Sequence, residues 1–315
     1  MSARLPRALV KFVAKIHTFD TSKPIEGEVS LLDGTFSCPL YVRKVFPILW
    51  DAVQSSSNAG IVLFGEPGIG KSCWLLWVLI KLVQEGQAVI WQTRRKQHTL
   101  YYFKGSTVRL LTIDKAIKLL GQSTVYYLVD GSCPLDDPSI LPIKAVAVHT
   151  PDYREFKPLL VQQNIDPRTG ENMWSYGAWY MPGMDKLEKS NMARYYGMAA
   201  TEALRRHEVY GGNARLVFDF AQSDRDFHRR DGALSSLTWD TIVTARGCID
   251  SMDDVRGTLF TIRVPEWEAG NFIDTAVEFS SEHMRKAVFQ AARGIFDEHQ
   301  LSCLKKGLFI PSKVT

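Results

Sequence analysis

Short apolar runs set the rhythm of the first half of the chain. IVLF (61–64), QAVIWQ (87–92), TVYYLVD (124–130) and KAVAVHT (144–150) are rich in β-branched and aromatic residues and lie between polar or turn-forming stretches. Runs of that length and makeup are expected to be strands buried on both faces. Between them, 71–85 and 113–120 carry helical periodicity, and TLYYF (99–103) and TVRLLT (107–112) are further strand candidates after the basic loop RRKQH (94–98). Apolar strands alternating with helices predict an α/β fold with a mainly parallel, doubly wound sheet. Ahead of them, LYVRKVFPILWDAV (40–53) reads as a helix bent at Pro47, followed by the polar loop QSSSNAG.

Beyond Pro151 the texture changes. YREFKPLLVQQ (153–163), the stretch 184–210 and NARLVFDFAQ (213–222) read as helices joined by turns, the pattern of a C-terminal helical lid. GTLFTIRVP (257–265) and FIDTAVEFS (272–280) are late strand candidates, and a helix over 281–299 is expected after them. The organisation expected is an N-terminal basic helix and lead-in helix over 1–55, an α/β core over 56–150, and a lid with a strand–helix region over 151–315.

The junction between the first strand and its helix carries the chemistry. Gly65, Glu66, Pro67, Gly68, Ile69, Gly70, Lys71 and Ser72 match G-x-x-x-x-G-K-S/T, the phosphate-cradling P-loop, between a buried strand and an apolar helix as that motif requires. Its glycines let successive N–H groups face inward around an anion at the positive end of the helix. Lys71 is then placed to reach the β- and γ-phosphates of ATP or another nucleoside triphosphate, and the Ser72 hydroxyl to ligate Mg²⁺. A second acid is needed for the magnesium shell, and Asp130 stands at the end of VYYLVD. Gly131 follows, where many hydrolysing relatives of this broad class carry a glutamate. Either Glu66, Asp136 or Asp137 takes that role, or hydrolysis is slow and the nucleotide gates a switch. His149 and Thr150, at the end of the next strand, are candidates to sense the γ-phosphate, and Arg215 in YGGNARLVF is a candidate charge stabiliser.

Composition narrows the setting. Thirty-eight basic against 34 acidic residues leave a net charge of +4 in 315 residues, too even for a nucleic-acid footprint by itself. The five cysteines are scattered without C-x-x-C pairs, which argues against a structural zinc site and for a reducing, intracellular setting, cytoplasmic or nuclear. No apolar stretch reaches the roughly 20 residues of a membrane span. At the N-terminus, Leu9, Phe12, Val13 and Ile16 oppose Arg7, Lys11 and Lys15 on a helical period. That segment is either a docked helix with a solvated basic face or, alternatively, an organellar or membrane-surface helix.

Three further features suggest partners. WQTRRKQHTLYYF (91–103) interleaves bases with aromatics and is a candidate nucleic-acid contact. PDYREFK (151–157) holds the letters of a metal-dependent nuclease site, with Asp152 and Glu155 too close in sequence to converge on one metal from separate strands. MWSYGAWYMP (173–182), with Trp174 and Trp179, is either lid core or a docking surface. Self-association is a further candidate.

With these residues in view, the chain resembles the P-loop ATPase module of the Crinkler and retrotransposon hot spot protein superfamily. The resemblance rests on YVRKVFPILWDAV, GIVLFGEPGIGKSCWLLWVL, VYYLVDG, VHTPDYREFK, YGGNARLVF, GTLFTIRVP and AVEFSSEHM, across about residues 40 to 290. It implies a STAND- or AAA-like ATPase with Walker A at Gly65 to Ser72, Walker B at Asp130, and Arg215 on the lid. In that family the module is typically fused to a nuclease-like or kinase-like effector domain, and members are associated with mobile elements or secreted to act in a host nucleus. The chain departs from the pattern in lacking a family header at its N-terminus and in spending the residues after 150 on the lid. The expectation is therefore a regulatory ATPase rather than the effector itself.

Overall fold

Strands that are apolar on both faces need cover on both sides, and the sheet is built accordingly. The computed structural model describes residues 5, 7–25, 40–56, 60–93, 99–121, 124–131, 145–149, 164–165, 172–173, 176–239, 242 and 259–305. These fall into two compact units, one from within Met1–Phe64, Lys71–His149 and Arg154–Trp179, the other from within Gly65–Gly70 and Tyr180–Thr315.

The first unit begins with α1 (Arg7–Lys15), a 3-10 turn (Ile16–Thr18) and α2 (Val45–Ser55). It continues through β1 (Gly60–Phe64), α3 (Lys71–Gln84), β2 (Ala88–Thr93), β3 (Leu100–Lys104), β4 (Thr107–Leu111), α4 (Ile113–Leu120), β5 (Val125–Asp130) and β6 (Ala145–Val148). The short strands β7 (Asn164–Ile165) and β8 (Asn172–Met173) pair with each other, and β9 (Tyr176–Tyr180) joins the main sheet. That sheet has the order β4-β3-β2-β5-β6-β1-β9.

The predicted α/β fold is present, with a parallel centre: β2 with β5, β5 with β6, and β6 with β1. The sheet is mixed rather than wholly parallel, because β2, β3 and β4 form an antiparallel meander. Only the short turn Gly105–Ser106 separates β3 from β4, and a parallel pair would need a crossover of a dozen residues or more. YGAWY, read from sequence as lid or docking surface, is instead a strand beside β1, with Trp179 buried. Trp174 lies outside the described residues.

Helix α3 is buried along nearly its whole length. Its indoles serve as struts: Trp74 Nε1 donates to the Phe46 carbonyl at 3.2 Å and Trp77 Nε1 to the Thr21 carbonyl at 2.9 Å. Gln84 Nε2 donates to the carbonyls of Ile16 and Phe19 at 2.8 and 2.7 Å. The N-terminal helix is docked by the face read from sequence, with Leu9, Phe12, Val13 and Ile16 buried and Arg7, Lys11 and Lys15 exposed. The helix read over 40–53 starts only at Val45, which puts Pro47 in the first turn of α2, where its missing N–H has no intrahelical partner to lose.

The second unit holds α5 (Lys186–Ala193), a 3-10 turn (Arg194–Tyr196), α6 (Ala200–Tyr210), α7 (Ala214–Phe218), α8 (Phe220–Ser235), the antiparallel pair β10 (Phe260–Arg263) and β11 (Ala276–Phe279), α9 (Glu282–Ala292) and α10 (Glu298–Lys305). Asp185 and Glu188 form a reciprocal capping box at the start of α5. The buried Lys189 ammonium donates to the Gly211 carbonyl. Burial, reinforced by Lys189 and Lys186, pushes the nearby His207 imidazole down to about 4. The helix expected over 281–299 is two helices, interrupted where Gly294 follows the C-cap residue Arg293. The segments 94–98, 150–163 and 132–144 lie outside the described residues, and with them Asp136, Asp137, Thr150, Asp152 and Glu155.

Candidate nucleotide site

In the first unit, the carboxyl ends of β5, β6 and β1 finish in register. Asp130 faces Val148 across the ladder, and Val148 faces Leu63. Lys71 opens α3 with its side chain buried, and Ser72 follows it. The Ser72 hydroxyl donates to Asp130 Oδ1 at 2.9 Å. Two hard oxygen groups, 58 residues apart in sequence, thus stand side by side, the donor set that Mg²⁺ prefers. One strand, β6, separates the strand that leads into the glycine loop from the strand that ends in Asp130. His149, next along from Val148, is buried, with its backbone N–H donated to the Leu63 carbonyl at 3.0 Å.

The position after Asp130 is constrained by the backbone. Gly131 takes φ of 112°, a region that side-chain-bearing residues rarely enter, and its N–H donates to the Val148 carbonyl at 3.1 Å. The structure therefore gives a reason for glycine where a catalytic glutamate would otherwise be looked for.

In the second unit, the loop Gly65–Gly70 lies against the segment read from sequence as YGGNARLVF. Asn213 Nδ2 donates to the Pro67 carbonyl at 2.7 Å, and the Arg215 backbone N–H donates to the Gly68 carbonyl at 3.3 Å. Gly68 has φ of 89°, and a Cβ added there would come within 2.6 Å of both Arg215 Cβ and Asn213 Oδ1. Glycine is required at this position on both counts. Arg215, singled out from sequence for its charge, touches the loop through its backbone, with its side chain exposed. Asn213 was not singled out, although it stands in the same quoted motif; its partner lies 146 residues away, beyond the reach of any local pattern.

Among the described residues no helix is long and apolar enough to cross a membrane.

No family model matches the chain. Among solved structures it is similar to a DNA replication initiation factor, at a TM-score of 0.31 and 11% identity, covering 82% of this chain and 91% of that one. Over 251 residues, 75% of this chain, it is 28% identical to Crinkler effector protein 16 of Phytophthora infestans, and over 207 residues, 62% of this chain, it is 29% identical to Crinkler effector protein 15 of the same organism. The matches cover 38% and 31% of those two proteins, so the chain spans about a third of the length of the curated relatives it resembles.

Proposed function

We propose that this chain is a Mg-ATP-binding P-loop module of Crinkler type that turns nucleotide over slowly and serves as a nucleotide-gated switch. The observation that carries the reading is the Ser72–Asp130 hydrogen bond, which joins the last residue of the glycine-rich motif to the acid at the end of β5. The backbone N–H groups of Gly65 to Gly70 would cradle the phosphates, Lys71 would neutralise the β- and γ-phosphate oxygens, and Ser72 and Asp130 would hold Mg²⁺. When bound, the ion would offset the charge that triphosphate oxygens place against the loop.

The test is calorimetric titration of the full chain with ATP, in Mg²⁺ and in EDTA. Wild type is expected to bind, and to bind more tightly with Mg²⁺. Asp130→Asn keeps the acceptor for Ser72 and removes the charge. It is expected to lose about 10- to 100-fold of the Mg-dependent affinity while EDTA binding is unchanged, as for loss of one charged contact. Wild type that shows no Mg-dependent ATP binding would sink the reading.

Slow turnover has its own check. Gly131→Glu restores the residue type of vigorous hydrolases but forces a side chain onto φ of 112°, a strain of about 1–3 kcal/mol. The variant is expected to melt earlier and to release phosphate from ATP no faster than wild type. A tenfold gain in phosphate release would show that glycine here was the brake.

A further inference from the structure

We infer that Asn213, with the Arg215 backbone, is a clasp that sets the phosphate loop's N–H groups in their anion-binding orientation, so that loop shape and the position of α7 form one equilibrium. The inference rests on the nucleotide reading for its meaning, but its geometry stands apart from it. A trans peptide holds its C=O and N–H on opposite sides of one plane. When Asn213 Nδ2 fixes the Pro67 carbonyl, the N–H of Gly68 must point the other way. When the Arg215 N–H fixes the Gly68 carbonyl, the same holds for the N–H of Ile69. Two consecutive amides of the loop are thereby turned away from the 213–215 segment, as a nest of inward-facing donors demands.

Asn213 does a second thing with its other atom. Its Oδ1 accepts the Leu216 N–H at 3.3 Å, capping α7, so one amide side chain ties the loop to the helix start. The absent Cβ of Gly68 lets the two segments approach this closely. Any ligand that tightens the loop amides would favour the clasped position of α7, and any displacement of α7 would cost nucleotide affinity by the same factor.

Asn213→Ser separates the two roles, because serine keeps an N-cap acceptor and is too short to reach Pro67. Two readouts are taken on the full chain: amide hydrogen exchange across 65–70 without nucleotide, and calorimetric affinity for Mg-ATP. The expected result is faster exchange in the loop with exchange in α3 and the β-strands unchanged, and affinity lowered about 3- to 10-fold, as for one neutral hydrogen bond. Asn213→Asp also keeps the cap and loses the donor, and it replaces the serine variant if that one does not fold. Loop exchange equal to wild type in a folded variant overturns the clasp, whatever the affinity. Faster loop exchange in a protein whose wild type binds no Mg-ATP leaves the clasp standing and overturns the nucleotide reading instead.

Discussion

Lys71→Ala is expected to lower affinity for Mg-ATP by at least about thirtyfold, corresponding to roughly 2–5 kcal/mol for removing one member of a buried, hydrogen-bonded charge pair. The size of the effect follows from placement. The Lys71 side chain is buried at the first residue of α3, so its charge acts where water screens it poorly. Lys71→Arg is expected to fall between wild type and alanine, because a flat guanidinium fork keeps the charge but does not reproduce the donor geometry of a compact ammonium at a buried position. Titration in the presence of Mg²⁺, with circular dichroism to show that each variant is folded, checks both. If the alanine variant binds as tightly as wild type, the nucleotide does not sit on this loop.

The parts of this site that were legible in the sequence are those encoded locally. The spacing from Gly65 to Ser72 is a contiguous word, and the strand before Asp130 is a short run of apolar, β-branched and aromatic residues whose length and makeup identify it. What sequence could not carry is the pairing order. Nothing in KAVAVHT says that it lies between the strand of the glycine loop and the strand of Asp130, and nothing in YGAWY says that it pairs beside β1. Strand partners are chosen by long-range packing, whereas the antiparallel β3–β4 pairing has a local cause in the shortness of its turn. Asn213 shows the same limit at a single residue. Its N-cap role is local, announced by Gly-Gly-Asn before a short apolar run, but its hold on Pro67 is set wholly by the tertiary fold. The constraint at Gly131 likewise became visible only as a backbone angle.

Trp74→Ala is expected to destabilise the first unit by about 3–5 kcal/mol, the usual cost of emptying a large aromatic site in a core. Trp74 is fully buried in α3, and its indole N–H donates to the Phe46 carbonyl of α2, so truncation both leaves a cavity and removes a buried hydrogen bond. At about 2–4 °C per kcal/mol for a unit of this size, the melting midpoint is expected to drop by roughly 6–20 °C. Trp74→Phe keeps most of the volume and is expected to lose only the hydrogen-bond share, about 1–2 kcal/mol. The pair separates packing from catalysis-related geometry, because the indole lies on the helix behind Lys71 and Ser72 and has no role at the phosphates. ATP with Mg²⁺ should therefore raise the melting midpoint of Trp74→Ala by the same free energy as in wild type, about 2.7 kcal/mol at a hundredfold excess over Kd. Calorimetric melting with and without nucleotide reads this directly. A variant that keeps its stability but loses the nucleotide-induced rise would mean that the start of α3 is positioned by Trp74, and that Lys71 and Ser72 depend on the packing of their own helix for their place at the phosphates.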